Sequence, residues 1–168
     1  TMTSIIKVDQ IQTAAGAAPT AADLGINTTG TVLQVVSNQN ISSGWIGTSS
    51  TSMVSSGITQ SITAKRTGSK LRVNFVAPMS HATQGNIRLG LSRNDIGQRG
   101  TAYSFGYHSK DNATSSYLPM IIDFVDTQTV TKGVTYTYTI TFASEQGATT
   151  YLVHNSSGYY LHVTEIAG

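Results

Sequence analysis

Residues 134–142 read VTYTYTITF, an unbroken two-residue alternation. Val134, Tyr136, Tyr138, Ile140 and Phe142 fall on one face and Thr135, Thr137, Thr139 and Thr141 on the other. That is the pattern of a pleated strand with one buried side. After Gly25 no segment repeats apolar residues at the spacing of a helix. Instead, five- to nine-residue alternating runs follow one another between turn signals, which constrains the chain to an all-β fold.

The other runs obey the same rule. Ile58, Ile62 and Ala64 share a face, and a Gly68–Ser69 turn leads into KLRVNFVA. There Leu71, Val73, Phe75 and Ala77 oppose Arg72, Asn74 and Val76. Ile87, Leu89 and Leu91 alternate with Arg88, Gly90 and Ser92 before a turn at Asn94–Gly97. Tyr103, Phe105 and Tyr107 make a further run, and 149–154 and 158–166 close the chain. Eight or nine strands are expected, forming an antiparallel β-sandwich of jelly-roll-like type. The head domain is expected to span 31–168, beginning with the strand Thr31–Asn38 (TVLQVVSN). Apolar residues on both faces of that strand predict that it is covered on both sides. Residues 39–57 read as a polar loop carrying the only tryptophan, Trp45.

The run Tyr117–Asp126 departs from simple alternation. Met120, Ile122 and Phe124 share one face, while Ile121 and Val125 share the other with Asp123. If the first face fills the sandwich, the second exposes branched apolar side chains unless another subunit covers them. Ile121 and Val125 are therefore the expected subunit-interface residues.

Composition bears on the partners. Charged residues make up 11% of the chain, against an ordinary ~25%, and serine and threonine fill the gap. A hydroxyl-rich surface suits a β-protein largely covered by copies of itself. The net charge of +2 gives no ground for a nucleic-acid partner. Lys65, Arg66, Lys70 and Arg72 flank the Gly–Ser turn, where a solvated hairpin tip accounts for them. No apolar run approaches the ~20 residues needed for a membrane span, so no membrane insertion is expected. The first residues lack a basic segment followed by an apolar core, so no secretion signal is expected either.

Residues 1–30 read as an extended arm. Ser4–Gln12 (SIIKVDQIQ) alternates like a strand without a nearby hairpin partner, and its Ile5, Ile6, Val8 and Ile11 are the expected docking residues. In the small-residue stretch that follows, Pro19, Thr20, Asp23 and Gly25 specify about one helical turn, Ala21–Leu24.

No catalytic or cofactor signature emerges. His81, His108, His154 and His162 form no HxH or HExxH pair, so packed or rim histidines are the simpler reading and no metal is expected. Asp123 and Asp126, three apart in a strand, fall on opposite faces, which argues against joint acid–base work. There is no GxSxG elbow and no Gly-rich phosphate loop, so an enzyme is not expected. Aromatic residues in or beside loops are the better lead for binding, although a tryptophan plugging the end of the sandwich explains Trp45 as well. The receptor-binding candidates are Trp45, for its flat apolar ring, and Lys110, Asp111 and Asn112, for directional hydrogen bonds in the following loop.

The run IIKVDQIQTAAGAAPTAADLGINTTGTVLQVVS resembles the N-terminal module of short tail-fibre-like and virion structural proteins of bacteriophages: an IKVDxIQ strand, a PTAADLG spacer, then a VLQVV strand. Further matches are Ser69-Lys70-Leu71, the Arg93-to-Gly97 turn, the Thr135–Thr139 strand and the terminal Thr164–Ala167. The resemblance implies a homotrimeric β-domain hung on an N-terminal virion anchor and located in the virion. Its partners would be other virion proteins, through the arm, and a host surface glycan or protein, through the head. The loops at 39–57, 81–86 and 110–116 depart from the family pattern, so no binding residue carries over. A fibre or spike protein is the leading expectation, with a capsid decoration or head-fibre protein second and a free carbohydrate-binding module third.

Overall fold

The computed structural model describes residues 29–81, 85–99, 106–110, 118–153 and 157–168. Every regular element among them is a strand: β1 Val32–Ser43, β2 Ile46–Thr48, β3 Val54–Thr63, β4 Lys70–His81, β5 Gly85–Arg93, β6 Gly97–Arg99, β7 Gly106–Lys110, β8 Leu118–Asp126, β9 Thr135–Ser144, β10 Thr150–Val153 and β11 Ser157–Ile166. All pairings are antiparallel. Eight are principal strands, and the three- and four-residue β2, β6 and β10 extend the sheets.

The principal strands form two sheets in the orders β1-β11-β4-β8 and β3-β9-β5-β7. Numbered one to eight along the chain, these are 1-8-3-6 and 2-7-4-5. Two Greek keys wrapped in this way are a jelly roll. The alternating faces read from sequence supply the core between the sheets. Leu71, Val73, Phe75 and Ala77 of β4 meet Ile87, Leu89 and Leu91 of β5 and Tyr136, Tyr138, Ile140 and Phe142 of β9, all buried. Ile58, Ile62 and Ala64 are buried together, as their spacing requires.

Four expectations need correction. The 39–57 stretch is mostly strand: β1 runs on to Ser43, β2 occupies 46–48 and β3 begins at Val54. Serine, threonine and asparagine on a half-wet strand mimic loop composition. Second, β1 is not covered on both sides. It lies at the edge of its sheet, pairing only with β11 among the described residues, and Val32 and Val35 are exposed. A register shift between Val32 and Gln34 changes which parity faces inward, so Gln34, Val36 and Asn38 point toward the second sheet. Third, Val134 precedes β9 in a turn and is exposed, while Thr141, assigned to the wet face, is buried. Fourth, Lys110 is the last residue of β7 and not part of a loop.

Where β1 ends, its backbone at Asn40 and Ile41 crosses Gly158 so closely that any Cβ there would collide with it. Gly68, at φ +80°, makes the turn between β3 and β4 that the sequence placed there.

Candidate functional site

The outer face of β1-β11-β4-β8 is built by three cross-strand rows. Val35, Thr164, Arg72 and Val125 lie side by side in the first, Ser37, His162, Asn74 and Asp123 in the second, and Gln39, Tyr160, Val76 and Ile121 in the third. Each row is one pleat of the sheet, so all twelve side chains point away from the core. Ile121 (57% exposed), Val125, Val76, Tyr160 and Val35 stand out of the sheet, and only one pair of opposite charges interrupts them. Ile121 and Val125 thus occupy the outward positions their spacing predicted.

The polar centre of this face is internally satisfied. Arg72 donates to both Asp123 oxygens, Nε to Oδ1 at 2.8 Å and Nη2 to Oδ2 at 2.6 Å. Asn74 Nδ2 adds a third bond to Oδ1 at 2.8 Å. The Arg72 hydrogen bond and charge, with Asn74, hold the Asp123 carboxyl below its ordinary range despite some desolvation. His162 Nδ1 lies 2.9 Å from the Ser37 hydroxyl, and its ring stacks parallel to Tyr160 at 6.3 Å. In these three rows the one ion pair is already closed, so they can be buried against like rows without stranding a charge, while Lys70, in the next row beside Ile166, lies at the rim.

The inward side of the same sheet ends in a polar row, Gln34, Glu165, Leu71 and Asp126. Glu165 is fully buried yet completely partnered. Its oxygens accept from the backbone amides of Lys65 and Arg66 at 3.0 Å, from Ser69 Oγ at 2.7 Å and from Gln34 Nε2 at 2.6 Å. Burial alone would push its pKa up. The Ser69 hydroxyl, the Lys65 amide, the Gln34 amide and the Arg66 amide together outweigh that and hold it below the usual range.

Asp126 anchors the other side of Leu71. It accepts from Arg93 Nη1 and Tyr138 Oη, each at 2.9 Å, and from the Gln128 amide at 3.0 Å. Arg93, itself buried, forks onto Asp95 and lies over the Tyr136 ring at 4.6 Å. Burial opposes the Arg93 charge, but the Asp95 and Tyr138 hydrogen bonds and the Asp126 charge raise its pKa. Burial chiefly, and then Asp126, raise that of Tyr138. These two networks seal one pole of the sandwich, and they join the sheets, because Arg93 and Tyr138 belong to one sheet and Asp126 to the other. As expected, Asp123 and Asp126 face opposite ways.

Trp45 sits between β1 and β2 at the opposite pole, 49% exposed, with its ring edge-on to Tyr151 at 4.4 Å. Gly47 leaves room for that tyrosine, since a Cβ there would lie 2.7 Å from its ring. Trp45 therefore packs on Tyr151 while remaining half-exposed. The structure does not bring Trp45 together with a second receptor-binding candidate: Lys110 ends β7 on the other sheet, and Asp111 and Asn112 lie outside the described residues. The docking residues Ile5, Ile6, Val8 and Ile11, the Ala21–Leu24 turn, Tyr103, Phe105 and His154 also lie outside them. Among the described residues no group of three or more His, Cys, Asp or Glu side chains is placed to hold a metal ion.

No protein-family model matches the chain, and no curated protein matches it. Among solved structures it is similar to a chain of the "Structure of infectious bursal disease virus Gx strain", with 14% identity and a TM-score of 0.36 over 80% of this chain. The similarity covers 37% of that viral chain. At that score the likeness adds nothing to the fold assignment, which rests on the strand order.

Proposed function

We propose that the protein is a non-enzymatic structural subunit of a virion, assembling with copies of itself through the outer face of β1-β11-β4-β8. The observation that carries this reading is the row geometry: Val35, Tyr160, Val76, Ile121 and Val125 exposed on three adjacent rows of one face, whose single ion pair is internally closed. An apolar patch on a chain this poor in charge suits a surface that spends its life covered. The resemblance of the N-terminal third to phage tail-fibre-like proteins supports a fibre or spike, homotrimeric, docked to the particle through residues 1–30. In that reading the pole bearing Trp45 is free to meet a host glycan or protein. A decoration or head-fibre role is the second reading, favoured by the same self-association without a need for the Trp45 surface.

The test is Ile121→Asp, read by sedimentation velocity beside Ile96→Asp, a control on the exposed turn before β6. Ile121 stands opposite Val76, with no cation in its row, so the new carboxylate has no partner in the contact. Val125 is less suitable because Arg72 stands opposite it. Ile121→Asp is expected to lose the outer-face contact and sediment as a smaller species with unchanged β-type circular dichroism, and Ile96→Asp to leave the oligomer intact. An oligomer indifferent to Ile121→Asp would remove this face from the assembly. Immunogold labelling of intact particles separates fibre from decoration protein.

A further inference from the structure

The edges of the two sheets are guarded unequally. β8 carries Pro119 and Asp123, either of which discourages a further strand. The edge of β3 is capped by side chains: Asn38 Nδ2 donates to the Thr59 carbonyl at 2.8 Å and Gln34 Nε2 to the Thr63 carbonyl at 2.7 Å. β2 and β6 are three residues long. β1 has none of these protections. It runs for 12 residues, VLQVVSNQNISS, with no charge and no proline, and no strand among the described residues pairs with its outer side. Both amides that cap β3 come from β1, so the strand that guards the neighbouring edge leaves its own open.

The outward positions of β1, 35, 37, 39 and 41, are also self-complementary. Antiparallel pairing of two copies about Asn38 sets Val35 opposite Ile41 and Ser37 opposite Gln39, apolar against apolar and polar against polar. Val35 is 55% and Ile41 76% exposed, so neither has a place in the core to give up.

We propose that the outer edge of β1 pairs antiparallel with β1 of a second copy about a two-fold axis through Asn38, joining the two β1-β11-β4-β8 sheets into one continuous sheet. This contact uses backbone groups at the rim of the sheet and shares only Val35 of the apolar residues in the outer-face contact proposed above; the two variants below both carry Val35→Lys, so the difference between them reads the β1 pairing alone. Where both operate, the outer face builds the oligomer and β1 links one oligomer to the next. A heterologous contact would need a different complementary strand, whereas an isologous one needs only the strand itself.

The register makes the test specific. Val35→Lys with Ile41→Lys places lysines opposite each other twice across the two-fold. Val35→Lys with Ile41→Glu places a lysine opposite a glutamate twice. Sedimentation equilibrium on the full chain is expected to show the first variant weakening the β1-dependent step roughly tenfold or more. The second is expected to restore most of that loss. Ile121→Asp, measured alongside, should retain the β1-dependent dimer while losing the outer-face contact, so that either contact can fail alone. Amide exchange over 33–40 should slow as protein concentration rises. Failure of the Lys/Glu variant to recover, or an Ile121→Asp protein that is wholly monomeric, would overturn the pairing. So would exchange protection that ignores dilution, which would give the edge to this chain's own residues.

Discussion

Glu165→Gln is the sharpest probe of the sealed pole. The carboxylate has four donors: the Lys65 and Arg66 amides, Ser69 Oγ and Gln34 Nε2. Glutamine keeps one acceptor oxygen. If its amide nitrogen takes the place of Oε2, it faces Gln34 Nε2 where the present contact is 2.6 Å. Turning Gln34 to offer its oxygen would surrender its 2.7 Å bond to the Thr63 carbonyl. The opposite orientation keeps the Gln34 bond but is worse, because it sets the amide nitrogen against the Arg66 amide and the Ser69 hydroxyl. At least one hydrogen bond to a charged group is lost and a buried donor faces a donor, for a cost of about 3 kcal/mol. With an m-value of about 2 kcal/mol/M, the urea midpoint falls by roughly 1.5 M. The effect also has a sign in pH. Glu165 is held below the ordinary value of 4.5, so its contribution is complete above that value and is lost as pH falls through the lower folded value. The gap between wild type and variant is therefore widest at neutral pH and narrows in acid. A gap under about 1 kcal/mol at pH 7, or one constant down to pH 3, would refute the account.

Asp126→Ala removes the acceptor shared by Arg93, Tyr138 and the Gln128 amide, and is expected to cost about 3–5 kcal/mol in chemical denaturation. Adding Arg93→Met should return only part of it, because it removes the Nη1 donor left without its acceptor but also gives up the forked pair with Asp95. Trp45→Ala removes an edge-to-face ring contact with Tyr151 and is expected to lower stability by about 1–2 kcal/mol. Measuring adsorption to host cells per folded molecule on the same variant tests recognition, and unchanged adsorption would leave Trp45 a packing residue alone.

Much of this architecture is written in alternation. Leu71–Ala77, Ile87–Leu91 and Tyr136–Phe142 declare their buried faces because both sheets have one dry side. The outward placement of Ile121 and Val125 follows from the same parity. β1 is not legible in this way, because its parity changes at an irregularity that no residue type announces and because an edge strand shares the composition of a loop. Glu165 gave no signal at all. Two of its partners are backbone amides on a turn a hundred residues away, and backbone groups are the same whatever the side chain. The meeting of Arg93 with Asp126 likewise depends on which strand ends the topology stacks at one pole, a property of the strand order and not of local spacing.

The pairing of β1 with β11 has a mechanical consequence. Gly30 donates to the Ala167 carbonyl, and Ala167 donates to the Thr31 carbonyl, both at 2.8 Å, so the sandwich is entered and left at the same pole. A load applied between an attachment at Thr29 and a contact on the Ser157 end of β11, at the Trp45 pole, acts along β1. It must shear the whole β1–β11 ladder at once. A load applied between Thr29 and Gly168 acts across the ladder and opens it one rung at a time. The same bonds thus resist a pull along the length of the sandwich far better than a pull between its two chain ends, so the domain is strong along one axis and weak across it.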